Sequence, residues 1–257
     1  MSKKVDLRHF LDGWPYNEEK NARLATGDDG RRILLVRTPM GLEQYELEGR
    51  PDGVRPYDCV SALDHQRQVL AEARENATAD AFGLDEEACA ELFHEGTLFY
   101  FRYLHLFQLQ AWPYVVRDTE RNIGLFDFVH RHAEREEDRS HLEKWRPYIY
   151  RMNAIARAMI AAEDQKLEEA IRILDEMVRQ IDGIEAVDDE TFQFERNRSL
   201  TALRELLDQL RKARPLSEVE RLESELRKAI ETQEFERAAV LRDRLKELKS
   251  SAGQPQR

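Results

Sequence analysis

Near residue 60 the spacing of apolar residues changes, and that change limits the architectures open to the chain. Before it, short apolar runs alternate with turn formers. Ala22 to Thr26, Arg32 to Arg37 and Leu42 to Leu47 are three strand candidates. They are separated by Gly27-Asp-Asp-Gly30 and Pro39-Met-Gly41, residues that suit tight reversals because one or more positions need a positive φ or a fixed one. Residues 1–57 are therefore expected to hold a small antiparallel β-meander, with Gly49 to Pro56 as a connector. After residue 57 apolar positions recur at three and four, the period of an amphipathic helix. Glycine (11) and proline (8) are scarce enough to let such helices run. The fold class predicted is mainly α: a small N-terminal meander, a helical body over 58–213, an antiparallel helical hairpin over 216–249, and a disordered tail over 250–257.

The body divides into helix candidates at Val60 to Ala77, from Asp85 through Gly96, Thr97 to Ala111, Val115 to His132, His141 to Ala162, Leu167 to Ile181, and Asp188 to about Lys212. Thr97 to Ala111 is so rich in Leu, Phe and Tyr that it is expected to be central and buried on most faces. Ala133 to Ser140 is densely charged and is expected to be a linker. Gln110-Ala-Trp-Pro-Tyr and Asp164-Gln-Lys-Leu-Glu-Glu-Ala-Ile are similar to the turn between the two helices of a tetratricopeptide-type hairpin. Asn153 to Ala162, with its small residues, supports that resemblance, although the spacing exceeds the roughly 34 residues of that repeat. An ordinary antiparallel bundle stays open beside it.

Charge narrows the function classes. Asp and Glu outnumber Lys and Arg for a formal net charge of −11, and charged residues reach 35%, above the usual quarter or so. Such a field repels nucleic acid and anionic membrane surfaces, so direct nucleic-acid or membrane binding is not expected. The charged N-terminus is followed by no apolar run, and no apolar stretch of about 18 residues occurs, so a cytoplasmic protein is expected. The two cysteines, Cys59 and Cys89, are too far apart for a common zinc spacing and fit a reducing compartment.

The region Leu216 to Lys249 is the most informative. Arg214-Pro215 breaks the preceding helix. Ser217 with Glu220 three residues on forms a capping box. Val219, Leu222, Leu226 and Ile230 lie on one helix face, Thr232-Gln-Glu makes the turn, and Phe235, Ala238, Leu241, Leu245 and Leu248 form the second face, with Ala239 beside Leu241. Phe235 is expected to plug the open end of the two-helix layer. Two helices of about fifteen residues bury too little apolar surface to offset their ordering entropy alone, so part of their surface is expected to face something else. Acids and bases nearly balance, leaving no basic stripe for phosphate.

Leu222, Leu226, Ala229-Ile230, Glu234-Phe235-Glu236, Ala238-Ala239, Leu241-Arg242-Asp243 and Leu248 together resemble the UVR motif, which occurs at the C-terminus of UvrB and in UvrC of bacterial nucleotide excision repair, and in Clp-type ATPase subunits. The resemblance covers about an eighth of the chain. It implies a module that docks onto another protein, often a second copy of the motif, with Leu222, Leu226, Ile230, Phe235, Ala238, Ala239, Leu241, Arg242, Asp243 and Leu245 as the partner-binding residues. The helicase and nuclease segments of those proteins are absent. A non-enzymatic adaptor or scaffold of the bacterial cytoplasm, with no cofactor, is the expected function. An accessory factor of excision repair that binds UvrB or UvrC is the first alternative.

A helical metalloprotein is the second. Glu91-x-x-His94, Asp127-x-x-His130 and Asp138-x-x-His141 each place a carboxylate and an imidazole one helical turn apart, as di-metal bundles do, but additional bridging glutamates are not evident. No phosphate-loop, dinucleotide or hydrolase-elbow pattern occurs. Tyr100, Tyr103, Phe107 and Trp112 have only Arg102 as a basic neighbour and read as core rather than as a base-stacking platform.

Overall fold

A computed structural model describes residues 6–185, 187–214 and 218–251. The chain forms two compact units, 1–208 and 209–257. In the first, a short helix α1 (Arg8–Gly13) precedes the meander β1 (Ala22–Thr26), β2 (Arg32–Thr38) and β3 (Gly41–Glu46), antiparallel in the order β1-β2-β3. Leu24 pairs with Leu34, and Leu34 with Tyr45. The two reversals fall where the turn formers put them. Gly30 has φ +81, which suits glycine, and Thr38 pairs directly with Gly41 around Pro39-Met40.

One face of the sheet supplies Leu34 and Val36, which pack with Leu47, Leu106, Trp112, Val115 and Ala156. A second core lies among α2 (Ala62–Glu75), α3 (Glu86–Gln108), α4 (Trp112–His132) and α6 (Arg146–Glu163), through Leu63, Leu70, Leu92, Leu125, Val129 and Ile149. Helices α7 (Leu167–Asp182) and α8 (Glu190–Ala213) follow. Asp189 opens α8, its Oδ1 accepting from the N–H groups of Thr191 and Phe192.

Two expectations are corrected here. The charged segment after His132 is not a linker: Glu136–His141 forms a short helix α5, with three acids in its first turn favoured by the helix dipole. Arg135 pairs with Asp138 at 3.0 Å, and Arg139 Nε donates to the Ala133 carbonyl. The helix expected from His141 begins at Arg146 instead, with Pro147 in its first turn. The aromatic stretch is the C-terminal half of α3, buried or half-buried on most faces as expected, with the line His94, Thr97, Phe101, Gln108 exposed.

The first unit also buries charge. Arg102, 1% exposed, makes a two-pronged pair with Asp118 through Nε and Nη2, both at 2.7 Å, and its Nη1 donates to the carbonyls of Glu46 (2.7 Å) and Gly49 (2.9 Å). One side chain thereby ties the connector after β3 to two helices. Glu95, fully buried, accepts from the N–H groups of Ala62 and Leu63 at the start of α2 and pairs with Arg121 and Arg50. It caps α2 from another helix, supplying an acceptor and a negative charge where free N–H groups and the dipole need them.

The helix ends share a device. Gln110, Gln165 and Gln233 have φ of 56, 64 and 58. In each case the next residue's N–H bonds the carbonyl five back (Ala111 to Leu106, Lys166 to Ala161, Glu234 to Ala229), and the glutamine N–H bonds the one three back. This is the Schellman closure, here with glutamine in the left-handed position that glycine usually fills. Two positions later a large apolar residue starts the next helix: Trp112, Leu167 and Phe235. The hairpins α3–α4, α6–α7 and α9 (Glu218–Glu231)–α10 (Phe235–Ser251) are built on one turn. Ala77 (φ 55) closes α2 the same way.

In the second unit α9 (Glu218–Glu231) and α10 (Phe235–Ser251) form the antiparallel hairpin. Leu216, the expected start of the hairpin, and Ser217 of the expected capping box lie outside the described residues, as do 252–257 of the expected tail; α10 itself continues to Ser251.

Candidate functional site

The hairpin is built from the turn outward. Ala229 and Ile230 carbonyls accept from Glu234 and Gln233, which stops α9 within one residue and points the chain back. The Thr232 hydroxyl lies 2.9 Å from both the Lys228 carbonyl and the Glu234 carboxylate, and Arg237 sits 3.1 Å from Glu234. The Thr232 hydroxyl and Arg237 hold the Glu234 carboxyl below its usual range.

Of the residues assigned to partner binding, five face the hairpin's own seam. Leu222, Ala238, Leu241 and Leu245 are buried there with Ala229, and Leu226 and Leu248 pack against them half-buried. The rest look outward. Ile230 is 55% exposed and Phe235 69%, while the Arg242 and Asp243 side chains are mostly exposed and pair with each other at 3.2 Å. Ala239 is half-buried, one turn from Phe235 on the same flank of α10. Phe235 therefore does not plug the end of the layer; it stands clear of it. Val240, 68% exposed, is a further outward apolar residue that the periodic stripe did not single out, because it falls between the two faces.

The geometry explains the division. Consecutive helical residues are about 100° apart, so Ala238, Leu241 and Leu245 stay within a narrow sector. Phe235 and Ala239 lie to one side of that sector and Val240 to the other. Two helices alone cover only the sector between them. What remains is an apolar margin near the turn, set among exposed Glu, Arg and Lys side chains.

The carboxylate–histidine pairs are drawn into other contacts. Glu91 accepts from the Tyr57 hydroxyl at 3.0 Å, Asp127 pairs with Arg146 at 2.7 Å, and His141 stacks on Phe93 with ring centres 4.3 Å apart. Burial holds the His141 imidazole below its usual value, with Lys144 adding to the effect. Among the described residues no group of three His, Cys, Asp or Glu side chains converges to hold a metal ion. Tyr103 and Trp112 are buried; Trp112 Nε1 donates to Glu163 at 2.9 Å, and Tyr100 and Phe107 are half-buried. No described helix is long and apolar enough to cross a membrane.

A family model described as UvrB/uvrC motif matches residues 217–251. The match coincides with α9 and α10. Comparison with curated proteins and with solved structures finds no match to the chain.

Proposed function

We propose that the protein is a non-enzymatic adaptor that docks another protein through the outward flank of its C-terminal hairpin, around Ile230, Phe235 and Ala239. The observation that carries this reading is that the hairpin spends its seam residues on itself and still leaves Phe235 and Ile230 more than half exposed within the segment matched as a UvrB/uvrC motif. A solvent-facing phenylalanine beside a small residue suits a helical partner. The ring is an anchor for a pocket, and Ala239 lets a second helix approach closely. A second hairpin of the same kind, from another copy of this chain or from a UvrB- or UvrC-like protein, offers that surface. The net charge of −11 and the balanced hairpin charges speak for a protein partner over nucleic acid.

A role in excision repair is the second reading, supported by the description of the matching motif. The test is capture from bacterial lysate by immobilised full-length protein, beside an Ile230→Asp/Phe235→Asp variant. Retention of a hairpin-bearing protein by the wild type and its loss from the variant supports docking by this flank. UvrB or UvrC as that protein selects the repair reading. Equal retention by both proteins excludes the flank as the docking site.

A further inference from the structure

Helices α3, α4, α6 and α8, with the segment 141–145, enclose a cavity of about 390 Å3 in the first unit, a size typical of small-molecule sites. Phe93, Tyr100, Phe101, Trp145 and Tyr148 line it with rings. Phe101 is 44% exposed and Trp145 40%, so both line the cavity and also meet solvent, and they mark its mouth. Two polar side chains of the wall are spent on the protein. The Thr97 hydroxyl donates to the Phe93 carbonyl at 2.9 Å, and Asn122 Nδ2 to the Gly96 carbonyl at 2.8 Å. The body of an occupant therefore meets mostly rings, which favours a flat apolar one.

Charge at the α8 wall is unbalanced. Arg151 and Glu195, both buried, form an ion pair 3.6 Å apart, and each offsets the other. Arg198, one turn from Glu195 on α8, also lines the cavity. Its side chain is 60% exposed, and its Nη1 stands 3.8 Å from a Glu195 carboxylate that Arg151 already matches, too far to hydrogen-bond. Two guanidiniums thus share one carboxylate, which leaves an excess positive charge beside an aromatic chamber. Burial holds the Arg151 guanidinium below its usual value, and the Arg198 charge adds to the shift. An anion at Arg198 relieves that repulsion, and a cation adds to it. A guanidinium whose donors are turned to solvent can take a carboxylate through two parallel hydrogen bonds.

We propose that this cavity binds a small aromatic carboxylate, its ring system among Tyr100, Phe101, Trp145 and Tyr148 and its carboxylate on Arg198. The proposal stands apart from the hairpin reading and does not depend on it.

The experiment is calorimetric titration of the full-length protein with 2-naphthoate, with its neutral counterpart 2-naphthamide, and with octanoate, a carboxylate on an aliphatic chain. The expected result is binding of naphthoate, with naphthamide at least about tenfold weaker, about the effect of one charge-assisted hydrogen bond. Arg198→Gln, at a side chain mostly in solvent, is expected to weaken naphthoate by a similar factor and to leave naphthamide unchanged. Phe101→Ala, at the exposed rim, is expected to weaken both at least about fivefold, because it removes a ring and no charge. That split between the two variants separates recognition of the carboxylate from a general loss of the fold, which weakens both ligands in both. No binding of naphthoate at about 1 mM overturns the proposal. Equal affinity for naphthoate and naphthamide overturns it, as does unchanged naphthoate affinity in Arg198→Gln. Octanoate binding tighter than naphthoate overturns it in favour of an acyl chain.

Discussion

Replacing Arg102 with methionine removes the centre of the buried charge network while keeping most of the volume of its stem. Asp118, 1% exposed, then loses two hydrogen bonds of 2.7 Å and keeps Arg117 at 2.9 Å, a partner that is itself 35% exposed. The carbonyls of Glu46 and Gly49 lose their side-chain donor as well. Stranding one member of a buried ion pair costs about 3–5 kcal/mol, and the surviving Arg117 contact keeps the expected loss for Arg102→Met within that range. Arg102→Met/Asp118→Leu removes both charges, so its cost is expected to fall short of the summed single variants by about 2 kcal/mol or more. The assay is urea unfolding followed by tryptophan fluorescence. Trp14, Trp112 and Trp145 are the only tryptophans and all lie within 1–208, so the signal reports the first unit. A cost under about 1 kcal/mol for Arg102→Met, or additivity within about 0.5 kcal/mol, refutes the view that this pair holds the connector to the helices.

Ala77→Gly is expected to stabilise the first unit by about 0.5–1 kcal/mol in the same assay, because φ +55 strains alanine and the relief exceeds the added freedom of the unfolded chain; a loss of stability refutes it. Burial holds His105, His132 and His141 below the usual imidazole value. The unfolded chain therefore takes up protons that the folded one refuses, and stability present above about pH 6.5 falls as the pH drops from there toward the lowered folded values. Urea midpoints are expected to decline from pH 7.5 to 5.5 and to decline less in His141→Phe; an equal decline in that variant refutes the assignment. In the hairpin, Ala239→Glu is expected to weaken association with a captured partner by about 3 kcal/mol through a stranded carboxylate, and Lys246→Glu by under about 1 kcal/mol. The reverse order at two salt concentrations marks an electrostatic contact.

The parts legible in the sequence are those whose signal is local. The meander follows from turn formers at Gly27 to Gly30 and Pro39 to Gly41, and α7 from its run of Leu167, Ile171, Leu174 and Val178. The hairpin turn was legible from Thr232-Gln-Glu. The charged stretch that became α5 is short, and what holds it comes from pairs such as Arg135–Asp138 and from the backbone of Ala133, which composition does not display. Arg102 stood out as one basic residue among aromatics, yet nothing local says that Asp118, on the next helix, would meet it. Within the hairpin, periodicity identified an apolar stripe but not its width. The seam takes Leu222, Ala238, Leu241 and Leu245 and leaves Ile230 and Phe235 outside, because two helices cover only the sector between them.

The most direct test of the docking account is the affinity of the full-length protein for its captured partner, measured for the wild type and Phe235→Ala. Phe235 is 69% exposed, and burying a phenylalanine fully is worth about 1.5–3 kcal/mol, so covering the exposed part contributes about 1–2 kcal/mol. The account predicts a Kd about 5–30-fold weaker for Phe235→Ala, with the helical signal and the melt of the hairpin unchanged. An unchanged Kd, with a folded hairpin, contradicts it.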